Sequence, residues 1–248
     1  MDFGLQGRRA AIAGASSGLG LATARALAAE GVRVAICGRD RERIEQAAAS
    51  IDGDAVAIVA DMSETDGPGA FVDQAVAALG GVDILVANAG GPPPGNFEST
   101  PYKAYPTALQ LNLLSTVAMC QAAVPPMQQR GWGRVVAITS ISVRQPIAGL
   151  ILSNTARAGV TGFLKTLALE VAVDGVTVNS VLPGSHDTDR LRSMYGGDLS
   201  GAAAATPVGA VGRPDDFGAV AAFLCSDQAR FITGSAIPVD GGANQALL

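Results

Sequence analysis

The sequence has few of the residues that mark metalloproteins and disulfide-bonded proteins. Its 248 residues include three cysteines and one histidine. Cys37, Cys120 and Cys225 lie far apart within apolar segments, without the paired spacing of metal-binding motifs. We therefore expect no metal site and three buried, reduced thiols.

Positive charge and long apolar runs are also scarce. Lysine and arginine total 17 against 22 acidic residues, so the chain lacks the positive field that attracts a phosphate backbone and a nucleic-acid partner is not expected. No run approaches the ~20 apolar residues that a membrane span needs. Gly14 and the serines after it interrupt the apolar stretch that follows Arg8 and Arg9, which argues against an export signal. We expect a cytoplasmic protein without a membrane partner.

What the chain does contain is a regular alternation of short apolar runs, turns and Ala/Leu-rich amphipathic stretches. With 48% hydrophobic and 16% charged residues, this alternation is typical of βαβ units around a parallel sheet that is buried on both faces. It predicts an α/β, Rossmann-type doubly wound fold, with a seven-stranded parallel sheet flanked by helices on both faces. The predicted strands are residues 9–13, 33–37, 55–60, 84–88, 135–139, 177–182 and 236–239.

Neither a repeat nor a linker interrupts this pattern. We expect one dinucleotide-binding domain over residues 1–248. Residues 105–129 and 153–173 form long apolar helical patterns, which favour burial of more than one face and an oligomer interface. Irregular loops are predicted over residues 91–95 and 184–206, where glycine, proline and small polar residues concentrate.

A glycine-rich turn follows the first predicted strand and opens a helix. In this position glycines let the backbone approach a pyrophosphate at the helix N-terminus. The candidate cofactor contacts in this turn are Gly14, Ser16, Ser17, Gly18, Leu19 and Gly20.

Cofactor preference is indicated at the end of the second predicted strand. NAD-preferring Rossmann proteins usually carry an acidic residue there, whereas this chain has Gly38 followed by Arg39. The guanidinium of Arg39 suits a 2′-phosphate, so NADP(H) is favoured over NAD(H). The alternative is a solvated arginine in a cluster with Asp40 and Arg41.

Several motifs together resemble the classical short-chain dehydrogenase/reductase family across essentially the whole chain. Residues 13–20 match its TGxxxGxG loop except that Ala13 replaces threonine, and residues 88–90 match its NAG motif. Pro183-Gly184 followed by Thr188, and residues 238–242, resemble its later turns. Arg39 and the C-terminal pattern are most similar to the 3-oxoacyl-ACP reductase branch.

This resemblance implies roles for further residues and an assembly. Asp61 and Met62 are expected to contact adenine, and Pro183, Gly184 and Thr188 to hold the nicotinamide carboxamide. The NAG motif is expected to line the cofactor through Asn88, Ala89 and Gly90. A homo-oligomer, either a dimer or a tetramer, is also implied.

The resemblance breaks down at the proton-transfer site. The family uses an Asn, a Ser and a YxxxK motif, in which an ammonium lowers the pKa of a phenol that starts near 10. Asn112 and Ser140 match the first two, but thirteen residues after Ser140 the chain has Ser153 and Arg157 in place of tyrosine and lysine. Serine does not titrate near neutral pH and arginine stays charged. The usual acid–base pair is therefore absent, although Arg157 suits the nicotinamide ribose or an anionic substrate.

Several proton donors and three functions remain open. Tyr195 and His186, in the loop after the sixth strand, and Ser140, Ser142 and Ser153 are candidate donors; a solvated His186 and a packed Tyr195 are the alternatives. The leading function is an NADP(H)-dependent oxidoreductase acting on a small carbonyl or hydroxyl substrate. The others are an NADP(H)-binding sensor or interaction subunit with little redox activity, and a non-redox enzyme.

Overall fold

Seven parallel strands form one sheet in the computed structural model, which describes residues 2–247. Their order is β3-β2-β1-β4-β5-β6-β7, and every neighbouring pair is parallel. The strands are β1 (Arg9–Ile12), β2 (Arg33–Gly38), β3 (Val56–Val59), β4 (Ile84–Ala87), β5 (Gly133–Ile138), β6 (Val176–Pro183) and β7 (Ala236–Val239). This confirms the predicted Rossmann-type fold. Because the order reverses between β1 and β4, the loops after these strands diverge and leave a crevice.

Helices cover both faces of the sheet. They are α1 (Gly18–Ala29), α2 (Arg41–Ala49), α3 (Gly67–Leu79), α4 (Ala104–Leu109), α5 (Ser115–Arg130), α6 (Ile151–Val171), α7 (Asp189–Met194), α8 (Ser200–Ala204) and α9 (Pro214–Cys225). Side chains of α1, α2 and α9 form the core on one face, and side chains of α3, α5 and α6 form the core on the other. Within β1, Ala11 and Ile12 point to opposite cores, as the two-residue repeat of a strand requires.

The longest helical run is more apolar than the sequence analysis expected. Ala104–Arg130 joins α4, a π-helical turn and α5, and by length and composition alone it is long and apolar enough to cross a membrane. Its apolar residues are used elsewhere in this fold: Met119, Cys120 and Met127 are buried in the core that α5 shares with α3 and α6. Packing on the sheet accounts for part of the hydropathy of this run, since 44% of its most apolar 18 residues are buried.

Two details of the sequence analysis need correction. Residues 184–206, predicted to be irregular, contain the short helices α7 and α8, because the hydroxyl of Thr188 accepts a hydrogen bond from Leu191 N and caps α7. Strand β5 begins at Gly133, two residues before the predicted start. The three cysteines are buried and unpaired as expected, and burial raises the pKa of each thiol to about 12.

An ion-pair network stabilises the amino edge of the sheet. Asp83, just before β4, accepts hydrogen bonds from Arg9 Nε and Nη2 at 2.8 and 2.7 Å, and Arg130 lies 3.4 Å away. Burial opposes ionisation of Asp83, but the hydrogen bonds and charges of these arginines outweigh burial and lower its pKa. Opposite charges are thus paired at the edge of the sheet that lies away from the crevice.

Replacement of Phe217 by alanine tests how much stability the α9 face provides. Phe217 is fully buried and packs edge-on against His186, so we expect the free energy of unfolding to fall by about 3–5 kcal/mol. Phe231→Ala is the matched control, because that ring is 99% exposed, and its change should stay within about 0.5 kcal/mol. Urea denaturation measures the free energy of unfolding of both variants. Equal decreases in Phe217→Ala and Phe231→Ala would contradict the assignment of Phe217 to the core.

Candidate functional site

The glycine-rich turn between β1 and α1 is held in a tight conformation. Gly14 and Gly18 have φ values of +57° and +58°, a region that side chains disfavour. A Cβ at position 20 would overlap the carbonyl oxygen of Gly14. Asn88 Nδ2 donates to that oxygen at 2.9 Å, which ties the turn to the end of β4. The free N–H groups of the first turn of α1 therefore face the crevice, where they favour an anion.

A groove of about 340 Å³ runs from this turn toward the ends of β2 and β3. It brings together residues that lie far apart in the sequence. Those predicted for the cofactor are Gly14, Ser16, Ser17, Arg39, Asp61, Met62, Ala89 and Gly90. The carboxylate of Asp61 accepts hydrogen bonds from the N–H and hydroxyl of Ser63 at 2.8 and 2.7 Å, so its orientation is constrained.

Sequence analysis missed a second cation in this groove. Arg43 lines it together with Arg39, and both are exposed. The local signal is the cap of α2: Asp40 accepts a hydrogen bond from Arg43 N at 2.9 Å, which places Arg43 in the first turn of the helix. The groove thus ends at two guanidinium groups, while the neighbouring carboxylate of Asp40 is engaged with the backbone.

A second cavity, of about 300 Å³, lies beyond the glycine-rich turn. It shares Ser17, Ala89, Gly90 and Gly91 with the groove, so the two spaces adjoin along the carboxyl edge of the sheet. Other sequence-predicted residues in its lining are Gly18, Leu19, Asn88, Ser140, Ser153, Arg157, Pro183, Gly184 and Thr188.

Ser153 and Arg157 line this cavity from α6. They are one helical turn apart and therefore share a face, and each is 8% exposed. Arg157 Nη1 donates to Ile138 O at 3.1 Å. Burial and, to a smaller extent, the charge of Arg190 lower the pKa of Arg157 from 12.5 to about 10. The guanidinium therefore remains charged at neutral pH.

The serine candidates divide between the cavity and the core. Ser140 Oγ accepts a hydrogen bond from Ser142 N at 3.1 Å and caps the 3₁₀ turn after β5. Ser142 is buried and is absent from the described lining. Of the three serine candidates for proton transfer, Ser140 and Ser153 therefore line the cavity and Ser142 does not.

Asn112 lies behind the cavity wall, in the π-helical turn before α5. Its Nδ2 donates to Gly90 O at 2.8 Å, which fixes the NAG segment. Within residues 2–247, Asn112 Oδ1 and Thr139 Oγ1 have no hydrogen-bond partner. Both line a cavity of about 10 Å³ beside Arg157, a volume close to that of one water-sized probe. Asn112 itself is absent from the described lining of the main cavity and is connected to it through Gly90, which does line it.

The alternative that His186 is a solvated loop residue is wrong. This side chain is 5% exposed, packs edge-on against Phe217 and lines the cavity. Its Nδ1 lies 3.3 Å from Gly184 O. Burial lowers the pKa of His186 despite this hydrogen bond and nearby carboxylates, so the ring is neutral at neutral pH. A Cβ at position 212 would overlap the ring, which explains the glycine there.

The sequence analysis proposed Tyr195 as a candidate proton donor and did not propose Arg190, but the structure places Arg190 and not Tyr195 in the described cavity lining. Tyr195 follows α7, is 43% exposed and is absent from the described cavity lining. Arg190, which was not a candidate, lines the cavity from α7 and donates to Gly91 O and Pro92 O at 3.1 and 3.4 Å. No local sequence pattern identified Arg190, because its position depends on contact with a loop 99 residues away.

Comparisons with known proteins agree with this arrangement. A family model described as Enoyl-(Acyl carrier protein) reductase matches residues 14–244. Dehydrogenase/reductase SDR family member 4 from Sus scrofa is 31% identical, over 98% of this chain and 89% of its own length. Acetoacetyl-CoA reductase from Cupriavidus necator is 32% identical, over 95% of this chain and 97% of its own.

A solved structure is similar over the entire chain. The L-sorbose reductase from Gluconobacter frateurii, crystallised with NADPH and L-sorbose, gives a TM-score of 0.92 at 31% identity, with 100% of both chains covered.

Gly20→Ala tests the packing of the glycine-rich turn. The added Cβ would overlap Gly14 O, so we expect the free energy of unfolding to fall by about 1–3 kcal/mol. The matched control is Gly69→Ala in α3, where nothing lies within 4 Å of the new Cβ, and which should gain about 0.4–1 kcal/mol. Chemical denaturation measures the free energy of unfolding of both variants. Equal changes in Gly20→Ala and Gly69→Ala would contradict the close packing of position 20 against Gly14 O.

Proposed function

The chain belongs to the short-chain dehydrogenase/reductase family, and we propose that it is an NADP(H)-dependent oxidoreductase with a non-standard proton-transfer site. Its substrate carries a carbonyl or hydroxyl group. The observation that supports this function is the adjoining groove and cavity at the carboxyl edge: one has the features of a phosphorylated-dinucleotide site, and the other presents Ser140, Ser153 and Arg157. The similar L-sorbose reductase was crystallised with NADPH.

The residues of the groove fit the dinucleotide. The tight turn at Gly14 and Gly18 leaves room for a pyrophosphate at the start of α1. Arg39 and Arg43 would hold the 2′-phosphate, since no carboxylate other than Asp61 lines that groove within the described residues. When bound, NADP(H) supplies or accepts a hydride.

Further contacts follow the family pattern. Asp61 and Met62 would contact the adenine, and Pro183, Gly184 and Thr188 would hold the nicotinamide carboxamide. Asn88, Ala89 and Gly90 would form the wall between the groove and the cavity. Each of these residues lines the groove or the cavity in the structure.

The hydroxyls and the guanidinium in the cavity have separate roles in this function. Ser140 and Ser153 would donate hydrogen bonds to the substrate oxygen, and Arg157 would stabilise negative charge that develops there. None of the three is a good proton donor at neutral pH. Turnover should therefore lack much of the general acid–base contribution, which is typically about 10²–10⁴ in rate.

The whole chain serves this function. Residues 1–248 act as one dinucleotide-binding domain of the 3-oxoacyl-ACP reductase type, and the similarity to an acetoacetyl-CoA reductase supports carbonyl reduction. The protein works as a homo-oligomer, a dimer or a tetramer. Leu169, near the end of α6, and Val173, in the 3₁₀ turn that follows this helix, are 72% and 88% exposed, which supports burial in an interface.

A second function has one specific observation in its favour. The groove keeps its tight turn and its arginines, whereas positions 153 and 157 carry neither phenol nor ammonium. An NADP(H)-binding sensor or interaction subunit with little redox activity would need only the groove. A screen across carbonyl classes that found NADPH binding but no NADPH oxidation would favour this second function.

Arg39→Ala tests the preference for the phosphorylated cofactor. Loss of a charged hydrogen bond worth about 1.5–3 kcal/mol should raise the Kd for NADPH by about 10–150-fold. The Kd for NADH, which lacks the 2′-phosphate, should hardly change. Calorimetric titration of both nucleotides provides the measurement.

Arg41→Ala is the matched control for this titration, because Arg41 is exposed and pairs with Glu45 along α2. It should leave both constants near their original values. Equal weakening of NADPH and NADH by Arg39→Ala would contradict phosphate recognition.

The double variant Ser153→Tyr/Arg157→Lys distinguishes the two functions. If the groove positions the cofactor correctly, restoring the phenol–ammonium pair should raise kcat by about 10²-fold or more. Absorbance of NADPH during turnover measures this. Slow turnover by the wild-type protein, together with a higher kcat in the double variant, supports the oxidoreductase function. Turnover by the double variant but not by the wild-type protein supports the sensor function.

A further inference from the structure

Two arginines face the substrate cavity, and their charges are not balanced there. Arg157 lines it from α6 and Arg190 from α7. Among the described lining residues the single carboxylate is that of Asp189. The charge of Arg190 contributes to the lowered pKa of Arg157, whereas no carboxylate contributes to it. The two positive charges therefore repel each other, and within the described residues Asp189 forms no ion pair with either of them.

Most hydrogen-bonding capacity of Arg157 is unused. Of its five N–H donors, one side-chain hydrogen bond is made within residues 2–247, to the neutral carbonyl of Ile138. The side chain is 8% exposed, so water compensates the charge poorly. A buried charge is costly unless an opposite charge pairs with it. Arg157 is thus suited to bind an anion that enters the cavity.

Arg190 is held toward the same cavity by the opposite loop. It donates to Gly91 O and Pro92 O, and Gly91 makes room for it, because a Cβ there would overlap Arg190 Nη2. Its helical neighbour Arg192 is paired with Asp187 at 2.6 Å. Within residues 2–247 Arg190 makes no such ion pair, so its charge remains available for a ligand.

On these observations, and resting on the proposed function, we propose that the substrate is an oxo acid or the matching hydroxy acid, with its carboxylate bound by Arg157 and Arg190. The apolar wall formed by Leu150, Leu191 and Met194 would contact an aliphatic chain. Reduction adds a hydride at the carbonyl carbon and a proton from water at its oxygen. The two electrons come from NADPH, which becomes NADP⁺, and the carboxylate is unchanged.

The test compares 4-methyl-2-oxopentanoate with its methyl ester, using the whole protein with NADPH at constant ionic strength. The ester keeps the chain and the carbonyl but loses the negative charge, and its carbonyl is intrinsically the more electrophilic of the two. We expect kcat/KM to be at least tenfold higher for the acid. Equal values, or a preference for the ester, would overturn the inference while leaving the oxidoreductase function intact.

Variants assign the preference to the arginines. Arg190→Gln should lower kcat/KM for the acid about tenfold and affect the ester much less. Arg192→Gln, which removes the same charge from the same helix outside the described lining, should preserve the preference. Gly91→Ala should lower the preference by displacing Arg190. If Arg190→Gln and Arg192→Gln lowered kcat/KM for the acid equally, the acid would be attracted by the overall positive charge of α7 and not by a specific contact with Arg190. That result would overturn the inference.

Arg157 needs a conservative variant, because removal of this large buried side chain would leave a cavity and would deprive Ile138 O of a hydrogen bond. Arg157→Lys retains the charge but not the planar fork, so it should keep part of the preference for the acid, with thermal unfolding as the check on folding. An acid-to-ester ratio unchanged in both Arg157→Lys and Arg190→Gln, with only the Kd for NADPH raised, would assign both arginines to the cofactor and overturn the inference.

Binding separates this inference from the proposed function. If neither compound is turned over, calorimetric titration into the protein–NADPH complex still reports affinity. If the acid bound at least tenfold more tightly than the ester, and Arg190→Gln removed this difference, the result would support the carboxylate site. The absence of turnover would then count against the oxidoreductase function only. Absence of binding by the acid would overturn the inference.

Discussion

Parallel pairing of the seven strands is the constraint on which the candidate site depends. It places the carboxyl end of every strand at one edge, and the reversal of order between β1 and β4 opens a crevice there. Gly14, Asn88 and Ser140 follow three different strands, yet they meet at this crevice. Without the shared edge, these residues would be isolated polar positions on separate loops.

Charge is distributed differently at the two edges of the sheet. At the amino edge the carboxylate of Asp83 pairs with Arg9 and Arg130, so the protein neutralises its own charges and gains stability. At the carboxyl edge Arg157 and Arg190 face a cavity where Asp189 is the one carboxylate among the described lining residues. Arg157 is buried and makes no ion pair within the described residues, which is costly, whereas Arg190 is exposed. An anion bound in the cavity would offset the cost at Arg157.

Much of the fold could be predicted because its signals are local. Short apolar runs between turns identified all seven strands, and the glycine-rich turn after the first strand located the crevice. The errors have physical causes. The cap at Thr188 stabilises α7 within a segment rich in helix-disfavouring residues, and the start of β5 at Gly133 depends on pairing with Val176 rather than on local propensity.

The sequence by itself determined the α/β class, the glycine-rich turn, and the absence of tyrosine and lysine at positions 153 and 157, because these depend on residue type and short-range spacing. Tertiary structure alone decided which side chains share the cavity. His186 is buried by Phe217, and Arg190 is oriented by Gly91. Burial and hydrogen bonding depend on elements that are distant along the chain, and a local pattern carries no information about which distant element will pack against it.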